Sequence, residues 1–212
     1  DTGLYQNKED ILNSPRRLGS TQTKLGDIGY TDVNGDGKID GEGQVRIGKP
    51  TMPHFTYAFD FSLGYEGFTL SGLLYGTGER YMTFGNRYQS GEGKYLYYEN
   101  QLNYWRPDNT GADFPRISIS SGVNGNNNKA GSTFWMRNAS YLRLKDLQLS
   151  YDFKYKYLKR CDWLQTCRVN LSGSNLFTIS GVSKFFDPET SSTSGDGYPV
   201  QRVYSIGVTI GF

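Results

Sequence analysis

Apolar and polar residues alternate strictly along the closing stretch "VYSIGVTIGF". Tyr204, Ile206, Val208, Ile210 and Phe212 fall on one side, and Ser205, Gly207, Thr209 and Gly211 on the other. A period of two belongs to a β-strand with one apolar face. The same period runs through "HFTYAFDFSLGY", where Phe55, Tyr57, Phe59, Phe61, Leu63 and Tyr65 oppose His54, Thr56, Ala58, Asp60, Ser62 and Gly64. After the turn signal "YEG", Phe68, Leu70 and Leu74 continue into a second strand, making a hairpin. "DLQLSYDF" sets Leu147, Leu149, Tyr151 and Phe153 against Asp146, Gln148, Ser150 and Asp152. "CRVNLSGSNLF" sets Val169 and Leu171 against Arg168, Asn170, Ser172 and Ser174. The pattern predicts five strands, at about 54–65, 67–78, 141–153, 167–179 and 201–212.

The connections differ in length. Two are short: the turn near Glu66, and residues 154–166, in which 155–165 are expected to form a helical turn. Two are long, 79–140 and 180–200, and residues 1–53 precede the first strand. Short turns at one end and long loops at the other are the signature of an outer-membrane barrel. A compact soluble sandwich would rarely hold an irregular loop of roughly 60 residues. The predicted fold class is therefore all-β: a transmembrane antiparallel β-barrel, with 1–53 as an extracellular loop region and 54–212 as strands with their loops. Arg or Lys on the lipid face near the bilayer midplane would cost about 2–4 kcal/mol. Arg143 and Lys145 share the parity of Leu147 but lie beside the long loop, so they are expected at the rim, above the hydrocarbon. Five strands cannot close a barrel, and an open edge in lipid would leave backbone groups unpaired. The chain is thus expected to be the C-terminal part of a larger barrel, and the terminal aromatic Phe212 adds slight support.

Composition agrees. Aromatics reach 15 % with 17 tyrosines and 27 glycines, while total hydrophobic content is only 36 %. That balance suits strands that are apolar on one face. The net charge of +2 gives no reason to expect a nucleic-acid partner. No apolar run of about 18 residues is present for a membrane helix. The first residue is Asp1, so a leader has been removed or the chain belongs to a longer polypeptide.

Five phrases then stand out in order: "GDIGYTDVNGDGKID", "NYWRPDNTGADFPR", "WMRNASYLRLKDLQLSY", "SNLFTISG" followed by "FDPE", and "YPVQRVYSIGVTIGF". From about residue 26 to residue 212 the sequence resembles the C-terminal part of the SusC/RagA-like TonB-dependent outer-membrane transporters of Bacteroidetes; residues 1–25 are similar more loosely. The resemblance implies the last five strands of a 22-stranded barrel with an N-terminal plug. It implies a SusD-like surface lipoprotein as lid, and import of oligosaccharides or peptides driven by the TonB complex through an N-terminal part. Long loops would face outward, and the C-terminus the periplasm.

Four further features carry candidate chemistry. "DVNGDGKIDGEG" (32–43) places Asp32, Asn34, Asp36 and Asp40 at positions 1, 3, 5 and 9 of an EF-hand-type loop, with the Lys38 carbonyl at position 7. Position 12, which should supply a bidentate acid, is Gly43, and Glu42 lies one place early. A structural Ca²⁺ and a plain polar turn are both open; no cofactor is required. In loop 79–140, Tyr81, Tyr88, Tyr95, Tyr97, Tyr98, Tyr104, Trp105 and Trp135 could stack on a sugar or meet the lid, with Tyr81, Tyr97, Tyr98 and Trp105 as candidates. The competing reading is that they pack the loop. Cys161 and Cys167, five residues apart in a short-end connection, could form a disulfide in an oxidising compartment or stay as thiols. With one histidine, His54, no Ser-His-Asp set is readable, and no enzyme activity is expected. Two other classes are weighed: a calcium-dependent surface adhesin or binding module of sandwich type, and a membrane-embedded barrel hydrolase.

Overall fold

The computed structural model describes residues 1–85, 88–89, 98–117, 126–182, 184–190, 193, 197–198 and 200–212. Five long strands dominate: β1 (Phe55–Tyr65), β2 (Phe68–Gly78), β3 (Tyr141–Asp152), β4 (Thr166–Ser180) and β5 (Val203–Gly211). They form one antiparallel sheet in chain order, each strand pairing with its sequence neighbour. The shortest has 9 residues, enough to cross the hydrocarbon core of a bilayer at about 3.3 Å per residue. Among the described residues no helix is long and apolar enough to cross a membrane, which says nothing about strands.

The short-turn end is built by local chemistry. Glu66 and Gly67 both have positive φ, at 46° and 85°. Two positive-φ residues make the tight turn whose twist matches a hairpin. A helical turn, α1 (Phe153–Lys156), follows β3, and the Asp152 side chain caps it by accepting from the Lys154 N–H.

Register assigns each side chain to a face. Phe55, Tyr57, Phe61 and Leu63 stand opposite Gly78, Gly76, Gly72 and Leu70. The row continues through Leu149 to Leu171 and Ile206. The aromatic rings of β1 lie over the β2 glycines: an added Cβ at Gly76 would stand 2.4 Å from the Tyr57 ring, and at Gly78 2.0 Å from that of Phe55. Glycine is therefore needed there so that the rings can lie flat against the neighbouring strand.

One difference from the alternation pattern matters. Leu73 pairs with Asp146 and Leu74 with Leu144, so Lys145 is an extra residue in β3. On the other side, Asn175 and Leu176 of β4 oppose that same position. This β-bulge reverses the parity of β3. Leu142 and Leu144 join the apolar face, and Arg143 turns to the polar face opposite Tyr75 and Thr178. The parity that Arg143 was expected to share with Leu147 is thus corrected: it sits near the long-loop end, but on the opposite face, pointing inward and 1 % exposed.

At the long-loop end, residues ahead of β1 and those between β2 and β3 fold together as a cap. Its core is Ile28, Tyr30, Phe84, Tyr88, Phe114 and Trp135, with Leu4, Ile39 and Phe185 packed against it. A smaller cluster of Met82, Ala139 and Val182 joins it to the sheet rim. The apolar core of the chain therefore lies in its loops. The sheet is apolar on the face left uncovered.

Candidate functional site

The sheet has two chemically opposite faces. On one, every register position from β1 to β5 is apolar or glycine, and its side chains are open: Phe59 is 61 %, Leu63 63 % and Ile206 77 % exposed. Soluble proteins rarely leave a continuous apolar surface of this kind open to water, and where one occurs it marks a membrane or partner contact. Among the described residues no second sheet covers it. The opposite face carries Asp60, Ser62, Gln148, Ser150, Asn170 and Ser205, which is the composition of a wetted wall. One face thus suits lipid and the other a water-filled lumen.

Where the polar face meets the cap, a buried ion cluster fastens the segment after β4 to the wall. The guanidinium of Arg143 donates to Asp187 at 2.5 Å, to Glu189 at 3.0 Å and to the Thr178 hydroxyl at 2.8 Å. Lys145 reaches Glu189 at 3.0 Å, and the Tyr141 hydroxyl donates to it at 2.7 Å. Burial acts to raise the Glu189 carboxyl, but the hydrogen bonds from Tyr141 and Lys145 and the charge of Arg143 outweigh it, so the group lies below its usual value. The same segment enters the cap core: Phe185 meets Phe84 edge-on at 4.7 Å, and its carbonyl accepts from the Tyr88 hydroxyl. Arg80 donates to the Pro188 carbonyl. Residues 181–182 and 184–190 therefore act as a strap between wall and cap. No local motif marks Asp187 and Glu189 as partners of Arg143. The missed signal is that the leucines of "YLRLKDLQL" change parity between Leu144 and Leu147.

The cap has a second buried charge. Asp27, 0 % exposed, pairs with Arg116 at 2.7 Å, and accepts from Asn128 and from the Lys24 N–H. With so many partners the carboxylate is well compensated, as a buried charge requires. Asn127 donates to the Ile28 carbonyl, and the Tyr30 hydroxyl donates to that of Asn127 at 2.5 Å, so residues 27–30 are sewn to 127–128.

The predicted candidates fall into different places. The Trp105 indole is buried on Gly26, whose φ is +78°, and its Nε1–H donates to Gln6 at 3.0 Å. Tyr98 stacks on Tyr88 at 4.8 Å. Tyr81 is half-buried, with the Lys49 ammonium 5.1 Å from its ring. Tyr88 and Trp135 belong to the core, and the Tyr104 ring carries the Arg106 guanidinium at 5.1 Å. Tyr95 and Tyr97 lie outside the described residues. In the loop 32–43, Asp32 accepts from the N–H groups of Gly35 and Gly37, Asp36 from that of Lys38, and Asp40 from that of Glu42. Among the described residues no three carboxylate, imidazole or thiol groups converge as a metal cage. Ile39 anchors the loop on the cap core. Cys161 and Cys167 carry free thiols, Cys161 in the connection after α1 and Cys167 on β4 opposite Ile210.

With this geometry in place, the comparisons are informative. No family model matches the chain. The TonB-dependent receptor P26 of Formosa agariphila is 25 % identical over 99 % of this chain and 22 % of its own length. Among solved structures, the RagAB peptide transporter superimposes with a TM-score of 0.61 at 27 % identity, covering 83 % of this chain and 19 % of that one. The RagAB peptide importer in its open-open state gives 0.62 at 25 % identity, covering 91 % of this chain and 20 % of that one. The chain is SusC/RagA-like. The chain is similar to a stretch of these TonB-dependent receptors, and its five strands are a partial outer-membrane barrel. It spans about a fifth of the length of these relatives.

Proposed function

We propose that the receptor to which this wall belongs imports nutrients, oligosaccharides or peptides, through its lumen with energy from the TonB complex. The cap and its loops face the outside, the short turns face the periplasm, and a SusD-like surface lipoprotein closes over the mouth. The chemistry is binding and gated passage, with no covalent step. One observation carries this reading: a membrane-length sheet with an uncovered, charge-free apolar face and a polar reverse, attached to an ordered cap at one end only. The RagAB neighbours are a peptide transporter, which makes peptides the first cargo to test. Calcium in loop 32–43 would be a shape-fixing ion, for which Asp36 and Asp40 would have to exchange their backbone N–H partners for the cation.

The test is a gene deletion in the source bacterium, followed by uptake of labelled oligopeptides and oligosaccharides with and without a protonophore. Import is expected to fall for one cargo class in the deletion strain and to need an energised inner membrane. Uptake unchanged by the deletion for every cargo tried, or insensitive to the protonophore, would refute the reading.

A further inference from the structure

The cap contains a cavity of about 300 Å³ set apart from the lumen wall and bordered by the core residue Tyr30. Its size matches the lower end of small-molecule sites. Its walls come from three stretches: Tyr5 and Ile11, the turn from Ser14 to Thr23, and Tyr30 with Asn127. Two guanidinium groups, Arg16 and Arg17, line it, and among the described residues no Asp or Glu does. Their situations differ. Arg16 is committed: its Nε and Nη2 both donate to the Ser20 carbonyl, at 3.2 and 2.7 Å, closing the turn. Arg17 is half-buried, and among the described residues no hydrogen-bond acceptor or carboxylate engages its side chain.

The backbone beneath Arg17 is held firmly. Arg17 pairs with Ile39, Leu18 donates to the Ile39 carbonyl at 3.0 Å, and the Arg17 carbonyl accepts from Ser20 at 3.0 Å. Its near neighbour Tyr30 is spoken for, since its hydroxyl donates to Asn127. Burial raises the Tyr30 phenol, and the positive charge of Arg17 works against that rise. Arg17 is thus a cation held at a pocket wall beside aromatic and aliphatic surface without a counter-ion. A half-buried charge in this state is costly, and an anion brought by a ligand would offset that cost.

We propose that this cavity binds the carboxylate of a cargo molecule, with the Arg17 guanidinium as its fork and the Tyr5 and Ile11 surface receiving the adjoining apolar part. A planar guanidinium fits a planar carboxylate through two parallel N–H···O bonds. With Arg16 occupied by Ser20, one available fork suits a monoanion better than a phosphate dianion. The carboxylate could belong to a peptide C-terminus or to an acidic sugar, and the experiment separates them. The inference rests on the import reading, because it places the pocket in a cap over the mouth.

The test uses the full-length receptor purified from outer membranes in detergent. Calorimetric titration compares N-acetyl-Gly-Tyr as free acid with its amide, and glucuronic acid with glucose. The wild type is expected to bind at least one acid tenfold or more tightly than its neutral twin. Arg17→Gln is expected to abolish that difference and leave the neutral probes unchanged. Preference for the peptide acid or for the uronate identifies the source, and preference for both makes the site a general carboxylate reader. No preference in the wild type, or a preference that survives in a folded Arg17→Gln variant, overturns the proposal. Modification of wild-type Arg17 by phenylglyoxal gives a second reading independent of any variant. The preferred acid should shield Arg17 and its neutral twin should not; equal labelling overturns the proposal. Titration that fails while uptake persists sinks the pocket alone, and uptake that fails while titration succeeds sinks the import reading alone.

Discussion

Replacing Arg143 with Met should release the strap formed by residues 181–182 and 184–190 from the barrel wall. The guanidinium is 2 % exposed in its side chain and bonded to two acids and a threonine hydroxyl. Removing one partner of a fully buried ion pair costs about 3–5 kcal/mol, because the other charge is stranded. Here Asp187 and Glu189 keep 16 % and 26 % exposure, and Lys145 still holds Glu189 at 3.0 Å. Water and Lys145 relieve part of the penalty, so about 2–3 kcal/mol is expected, or about 30- to 150-fold more frequent opening of the strap. Amide hydrogen exchange of the full-length receptor in detergent reads this directly, as faster exchange confined to the strap. Neutralising the acids as well, in Arg143→Met with Asp187→Asn and Glu189→Gln, should recover at least half of the loss, since the stranded charges are gone. Arg168→Gln is the control. Arg168 is 51 % exposed and 3.7 Å from Asp152, a geometry worth about 0–1 kcal/mol. Unchanged protection in Arg143→Met, or equal effects of Arg143→Met and Arg168→Gln, would refute the reasoning. The same strap should respond to acid. The Glu189 carboxyl is held below its ordinary value of 4.5 in the folded protein, so its contribution is complete above that pH and is lost as pH falls through the lowered value. Protection of the strap should hold from pH 7 to 5 and decline below about 4.5; a decline centred above pH 5 would point to another group.

Ile206→Arg, on the uncovered apolar face, should cost about 2–4 kcal/mol if it lies near the midplane and impair outer-membrane assembly, while Ser205→Arg on the opposite face should assemble; equal assembly of both, followed by heat-modifiable gel mobility, would count against the assigned facing. Gly76→Ala should destabilise the β1–β2 pair by about 1–3 kcal/mol, because its Cβ would stand 2.4 Å from both the Tyr57 ring and the Tyr141 carbonyl, whereas Gly207→Ala meets nothing within 4 Å and should be silent; thermal melting separates the two. Asp36→Ala should remove any rise in melting temperature given by Ca²⁺ over a chelator, and a wild-type curve identical in both would reduce loop 32–43 to a turn.

The five strands were legible because a sheet wet on one side and greasy on the other writes a period of two directly into the chain, as Phe55–Tyr65 and Tyr204–Phe212 show. The bulge was harder to read. It needs only one residue, Lys145, and it sits where Arg143 and Lys145 mimic a polar rim, so the parity change of the leucines passed as noise. The strap was less legible again, because Arg143 and Glu189 are far apart in sequence and only pairing across the bulge brings them together. The cap left almost no periodic trace. Phe84, Phe114 and Trp135 come from irregular backbone, and aromatic residues in such segments read equally well as ligand-binding or as packing. Arg17 became conspicuous only through what surrounds it, which no local motif encodes.

The cap has its own hydrophobic interior, centred on Phe84 and Trp135, and does not borrow one from the sheet. A mouth that supports itself can change its outer skin without disturbing the wall below. Substitutions on the outer surface of the cap can leave the alternating strands untouched, because the layers are joined by a few clasps, Arg143 foremost.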